Sequence, residues 1–309
     1  MTLRIATPLI YYNDIPDAQM DSRPNLKKLA NGESRLTPPL TVTQDTTTTG
    51  AQSLKVTIYS KGEKSRYEIY RRVLVKKLKT SIKVWTTRDK TLKSDCRILG
   101  RNIKLVASPI DVNGHASSLD SDVSQWLISD PGNKFCAVDK PYHKSQIKEP
   151  AMAVCIDDAT IFGHFNRIGA AGNWADSPAE VTANNGHSFA KALEHVIGAD
   201  ANNKFISYNN DPPDVPKVKT KSNSKGVLMM DITGTDAAAW IVHTVPGFPK
   251  ARTGYLFPPA EVQKGHLISL ASLGCTKSQA MEPAMAVCID DATISARFKE
   301  IAQNVENCS

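Results

Sequence analysis

The sequence predicts an α+β (α/β-like) fold made of two similar halves, each a mixed β-sheet flanked by helices. Three observations predict it. Apolar runs of strand length recur along the chain, interrupted by segments with helical apolar spacing. These elements fall into two consecutive blocks of similar size, each opening on a stretch rich in turn-forming residues. Hydrophobic residues make up 41% of the 309 and charged residues 22%, enough apolar side chain for a core and a composition unlike that of a disordered chain.

Residues 1–50 are rich in Pro, Thr, Asn and Asp, end in TVTQDTTTTG, and read as loops with little regular structure. SLKVTIYS (53–60) alternates as a strand. EKSRYEIYRRVLVKKLK (63–79) has helical spacing at Ile69, Val73 and Leu78. SIKVWTT (81–87), NIKLVAS (102–108), SQWLISD (124–130) and KFCAVD (134–139) read as strands. The second block restarts from FGHFNRIGAAGNWADSPAE. SFAKALEHVIGA (188–199) is a helix with Ser188 as its N-cap, and strands follow at 203–210, 225–233, 238–246 and 265–273. A terminal helix, SARFKEIAQNVENC, starts at Ser295 and carries Phe298, Ile301 and Val305 on one face. Trp85, Trp126 and Trp240 sit inside alternating runs, so they read as core rather than as base-stacking platforms.

EPAMAVCIDDATI occurs twice, at 149–161 and 282–294, with all thirteen residues identical. Repeat proteins carry drifted copies of a whole unit at a period of roughly 20–50 residues, which this is not. The order of the chain is therefore unusual.

Composition narrows the function. No stretch approaches the ~18 consecutive apolar residues of a spanning helix, and no membrane partner is expected. No signal peptide is visible in MTLRIATPLIYYNDIPDAQ. The six cysteines form no C-x-x-C pair and have no His at zinc-ligand spacing, which argues against a metal site. Their even number is compatible with disulfides, whose connectivity spacing leaves open. The net charge of +7 is concentrated: residues 51–100 hold fourteen Lys/Arg against four Asp/Glu. That stretch reads either as a solvated helix face followed by a strand, or as an electrostatic footprint for DNA or another polyanion.

The segment YNNDPPDVPKVKTKSNSKGVLMMDITGTDAAAWIVHTVPGFP (208–249) resembles the N-terminal half of the deoxyribonuclease II family. The matching residues are Asn210, Asp211, Pro212, Pro213, Asp231, Trp240, His243, Val245, Pro246, Phe248 and Pro249. Residues 1–148 resemble the C-terminal half of that family through TPLIYYN, SIKVW, LKSDCRI, DSDVSQWLIS and FCAVD. The nearest likeness is to the secreted plancitoxin-type members of parasitic nematodes. The resemblance implies a phospholipase D-like fold and the following organisation: 1–161 as the family's C-terminal half, 162–273 as its N-terminal half, and 274–309 as the second repeat copy with the terminal helix. The halves thus stand in permuted order. It also implies disulfides Cys136–Cys155 and Cys96–Cys308, a lysosomal or extracellular location, and no cofactor or metal.

The implied chemistry is metal-independent cleavage of DNA phosphodiesters by two His-x-Lys pairs, one from each half. One His attacks phosphorus, the other protonates the leaving oxygen, and the lysines hold the phosphate, which joins a nucleophile, a proton donor and fixed positive charge at one centre. An acidic optimum follows if one His must be protonated. This sequence departs from that pattern. The first pair stands as Asn223 and Lys225 in Ser-Asn-Ser-Lys-Gly, and the second as Val123 and Gln125 in Asp-Val-Ser-Gln-Trp. Val123 can neither attack phosphorus nor carry a proton, and Asn223 is a poor substitute for either task. The expectation is a family member with impaired catalysis. Lys225 reads as a phosphate ligand or a solvated loop lysine. His243 reads as a phosphate-positioning residue or a strand histidine satisfied by a neighbour, and Asp139 and Asp231 read as structural. Two rival readings are a secreted, non-enzymatic binder of nucleic acid or of a host partner, and a product fused from neighbouring paralogous genes.

Overall fold

The computed structural model describes residues 1–33, 37–49, 53–87, 92–112, 115–166, 179–216, 218–233, 237–262, 264, 268–273 and 287–288. Strands are numbered along the chain. A seven-stranded sheet runs in the order β2 (Thr41–Thr47), β3 (Lys55–Lys61), β10 (Ala151–Asp157), β9 (Lys134–Val138), β8 (Trp126–Asp130), β4 (Ser81–Trp85), β5 (Ile103–Leu105). Only the β4–β5 pair is parallel, so the sheet is mixed. A six-stranded sheet runs β1 (Ile10–Asn13), β11 (Asn203–Tyr208), β12 (Gly226–Asp231), β13 (Ala238–His243), β14 (Ile268–Leu273), β15 (Val287–Cys288). A short ribbon, β6 (Ile110–Val112) with β7 (His115–Ser117), stands apart.

The side-chain alternation of the strands assembles the layers. In β10, Ala151, Ala153 and Cys155 join the cluster on one face, while Met152 and Val154 join the other. A strand buried on both faces needs an unbroken apolar run, and AMAVCI supplies one. The first copy of the repeat is therefore a central strand, paired with β3 along seven residues and with β9 along five. In the second copy, Val287 and Cys288 form β15 and pair with Ser269 and Ile268; its other residues lie outside those described.

Val56, Ile58, Met152 and Val154 from one sheet meet Ile206, Tyr208, Met230 and Trp240 from the other in a single apolar layer. Burying each aliphatic side chain of this kind contributes about 1.5–3 kcal/mol. The outer face of the seven-stranded sheet is covered by the helical segment 69–78, and that of the six-stranded sheet by α6 (Ser188–Ala192) and α7 (Glu194–Ile197). The α+β architecture of two sheets with flanking helices is thus present. Chain order does not separate the sheets at residue 161, because β1 pairs with β11.

Residues 1–50 are not the loops expected. They form α1 (Thr2–Ala6), β1, α2 (Asp17–Asp21), α3 (Pro24–Ala30) and β2. Pro24 occupies the first turn of α3, where its missing N–H is not needed, so it starts a helix rather than breaking one. The threonine run of β2 pairs with β3 along its whole length, a tertiary contact that decides the state of β-branched residues. Leu3, Ala6, Met20 and Leu29 from these helices pack into the layer between the sheets.

Two helices also differ from expectation. The segment expected at 63–79 is interrupted by Arg66, at φ 54°, and begins in earnest at Ile69. It runs as a π-helix over Ile69–Leu74 and continues as α4 (Val75–Leu78). At 188–199 the helix splits into α6 and α7, and its N-cap is His187 rather than Ser188: the His187 Nδ1 accepts from the backbone N–H of Ala190 at 3.3 Å. α5 (Ala159–Asn166) follows β10, and the predicted terminal helix from Ser295 lies outside the described residues. Trp85, Trp126 and Trp240 are core residues, as expected.

Candidate active site

The two segments 122–125 and 222–225 occupy equivalent places, each leading into an internal strand of its own sheet, β8 and β12. Each is shaped by the same local bond. The Ser124 backbone N–H donates to Asp122 Oδ1 at 2.8 Å, and the Ser224 N–H donates to Ser222 Oγ at 3.2 Å. Such side-chain-to-backbone bonds two residues on fix a tight turn. Ser124 and Ser224 are wholly buried, while Val123, Asn223 and Lys225 on either side of them are half-buried. Gly226 completes the second turn, because a Cβ there would collide with the Ile241 carbonyl oxygen and the Tyr208 hydroxyl.

The side chains at these places differ in what they can do. Gln125 is buried and engaged: its Oε1 meets the Thr86 hydroxyl, and its Nε2 donates to Thr87 Oγ1 and the Val123 carbonyl, both at 3.3 Å. Asp122 is held by the indole N–H of Trp85 at 3.0 Å. Val123 has an aliphatic side chain and Asn223 a neutral amide. Lys225 keeps a charge-bearing side chain, whose Nζ donates to the Asn223 carbonyl at 3.4 Å. Burial pushes Lys225 down to about 8, opposed by the charges of Asp139 and Asp211, with Lys140 adding repulsion.

Polar contacts join the two sheets behind these loops. Asp139 accepts from the Met152 N–H at 2.7 Å on one oxygen and from the Ser224 hydroxyl on the other. Burial raises its pKa, against the pull of Lys140 and these hydrogen bonds. The fully buried Lys140 ammonium donates to Glu149 Oε2 and to the Lys221 carbonyl, both at 2.6 Å. The Tyr70 hydroxyl donates to the Lys140 carbonyl at 2.7 Å, and the Tyr142 N–H to the Thr86 hydroxyl at 3.0 Å. Lys61, also buried, donates to the carbonyls of Gln146, at 2.7 Å, and Glu149. Glu149 and Met152 both belong to the first copy of the repeat, which therefore forms the backing of the site.

His243 lies in β13 behind the second loop. Its backbone N–H donates to the Lys225 carbonyl at 3.1 Å. Its Nδ1 accepts from the Val245 N–H at 3.2 Å, and its ring meets Phe248 edge-on at 6.1 Å. An Nδ1 that accepts places the ring proton on Nε2. Asp231 caps its own turn by accepting from the Thr233 N–H at 2.7 Å, in keeping with a structural part.

Cys136 and Cys155 stand opposite each other on β9 and β10 and are joined by a disulfide. Cys96 is also disulfide-bonded; its expected partner, Cys308, lies outside the described residues. Lys61, Lys140, Glu149 and Thr86 were not singled out in the sequence, where a lysine reads as a solvated side chain. The weak signal for Lys140 is its place just past Asp139, which follows the apolar run FCAV. Among the described residues no cluster of His, Cys, Asp and Glu has the form of a metal site, and no helix is long and apolar enough to cross a membrane.

Two sheets packed face to face, each with a turn of this kind leading into an internal strand, define a two-half α+β protein. Comparison with known families gives the kind: the chain belongs to the deoxyribonuclease II family, whose model matches residues 1–171 and 168–287. Deoxyribonuclease-2-alpha of Bos taurus is 26% identical over 110 residues, 34% of this chain and 29% of that protein. The matched part thus spans well under half of that relative. No solved structure matches.

Proposed function

We propose that this chain binds DNA, or a similar phosphodiester, at the family's site but has lost its cleavage. The reading rests on one observation, two turns of the same kind that carry Val123/Gln125 and Asn223/Lys225, which by the family likeness correspond to the His-x-Lys pairs. Without a His at either turn the site lacks both nucleophile and proton donor. Groups that act as one unit are not replaced singly, and each loss typically removes orders of magnitude of rate. What is left is a lysine on a turn fixed by the Ser224 N–H bond to Ser222 Oγ. Lys225 holds the phosphate, and His243 behind it fixes the position of the Lys225 carbonyl. The positive charge of residues 51–100 draws polyanions toward the protein.

The permuted order of the halves, with divisions at 161 and 273, belongs to this reading. Two separate family matches, over residues 1–171 and 168–287, support a division of the chain near the first of these points. A lysosomal or extracellular location, shared with the plancitoxin-type members, is supported by the Cys136–Cys155 disulfide, which calls for an oxidising compartment.

Fluorescence anisotropy with a labelled duplex, across a salt series, tests the binding. Affinity that falls as salt rises, and falls further in Lys225→Ala, supports the reading. Equal affinity in wild type and Lys225→Ala would remove Lys225 from it. Supercoiled plasmid at about pH 5 with EDTA tests the loss of cleavage.

A further inference from the structure

We propose that the turn 97–101, with the basic helical segment 69–79 beside it, is a docking surface for an anionic lipid membrane. Leu99 is 97% exposed and Ile98 54% exposed, the largest such values among the exposed bulky apolar side chains described, Leu256 equalling the second. The turn is well anchored. Asp95 and Ile103 exchange two backbone hydrogen bonds of 2.8 Å at its base, the Arg101 N–H closes it on the Ile98 carbonyl at 3.0 Å, and Gly100 takes a φ of +72°. Ser94 Oγ, one residue before that base, accepts from the Leu105 N–H at 3.0 Å. The exposure of the two aliphatic tips therefore belongs to a fixed protrusion.

Positive charge surrounds that protrusion. Arg97 flanks it on one side and Arg101 on the other, both exposed. Arg71 reaches Asp95 at 2.9 Å, which ties the helical segment to the turn and, with Arg97 at 2.8 Å, neutralises that carboxylate. The segment also presents exposed Arg72, Lys76, Lys77 and Lys79. Over residues 66–79 and 92–101 nine Lys/Arg face two acids, and one of these, Glu68, is buried.

A phosphodiester backbone would satisfy the cations but offers nothing to Ile98 and Leu99. A bilayer surface satisfies both, with anionic headgroups for the cations and acyl chains below them for a convex apolar tip. No spanning helix is required for such contact. Ile98 and Leu99 have no part in the proposed phosphate site, although the cations beside them belong to the same basic stretch that draws polyanions.

Co-sedimentation of the full chain with vesicles tests it, comparing phosphatidylcholine alone with phosphatidylcholine containing about 30% phosphatidylserine. Binding to the anionic vesicles only is expected, weakening at about 0.5 M salt. Leu99→Glu is expected to lower partitioning at least roughly tenfold. With its side chain in solvent, that change should leave thermal unfolding unmoved. Arg72→Glu/Lys76→Glu is expected to reduce binding as well. No binding of the wild type to anionic vesicles, or binding unaffected by Leu99→Glu, would overturn the proposal. So would a charge-reversal variant that loses DNA affinity while the wild type ignores vesicles, which would assign the patch to nucleic acid.

Discussion

The Ser224 hydroxyl donates a hydrogen bond to Asp139 Oδ2, so a turn of the six-stranded sheet is fastened to the end of a strand in the seven-stranded one. Asp139 also takes the Met152 N–H on its other oxygen, which ties the same carboxylate to β10. The pair thus holds Lys225, the next residue after Ser224, against the seam.

Removing that fastening should cost stability first. Asp139→Ala strands the buried Met152 N–H and Ser224 hydroxyl, and a loss of about 1–3 kcal/mol is expected. Ser224→Ala, which removes one partner, should cost less. Urea unfolding monitored by tryptophan fluorescence measures both, and an Asp139→Ala midpoint equal to wild type would contradict this account of the seam.

Lys225→Ala should weaken duplex binding about five- to tenfold near physiological salt. It should also reduce the slope of log affinity against log salt by roughly one phosphate contact. Because Lys225 titrates near 8, wild-type affinity should fall as pH rises from about 7 to 9, and the variant should lack that step.

Glu68 gives a stability signature with a defined sign. Its Oε2 accepts from the Arg71 N–H at 2.8 Å, and burial lifts the carboxyl from 4.5 to about 7, opposed by that bond and by Lys61. The folded state therefore keeps a proton that the unfolded state releases above about 4.5. The contribution is complete below pH 4.5 and is lost as pH rises through 7, a fall of about 3 kcal/mol at most. Glu68→Gln should flatten this fall. Chemical-denaturation midpoints between pH 4.5 and 7.5 test it, and parallel curves for the two proteins would refute it.

Breaking the Cys136–Cys155 bridge, which closes a loop of 19 residues, should destabilise the chain by about 3 kcal/mol. Differential scanning calorimetry of Cys136→Ser/Cys155→Ser should show a clearly lower Tm. An unchanged Tm would mean that the pairing of β9 with β10 is sufficient by itself.

The strands were legible in the sequence wherever a period of two met a buried face: β3, β4, β8, β9, β11, β12 and β13 lie within or beside the runs that predicted them. The N-terminal 50 residues were not legible, because α1, α2 and α3 are too short for a periodic signal and β2 is a strand only through its partner β3. The segments at 123–125 and 223–225 could be found in the sequence through their likeness to the family's motifs. Their backing could not, since nothing local distinguishes the buried Lys61 and Lys140 from solvated lysines. His187 as a cap was hidden for a similar reason: Ser188 beside it is the more usual capping residue.

A plasmid-nicking assay at about pH 5 in EDTA tests the proposed loss of cleavage most directly. Wild-type protein is expected to leave supercoiled plasmid intact. Val123→His/Gln125→Lys/Asn223→His, which puts His-x-Lys back on both turns, is expected to convert it to the nicked form. Metal-independent nicking by the wild type would contradict that loss outright.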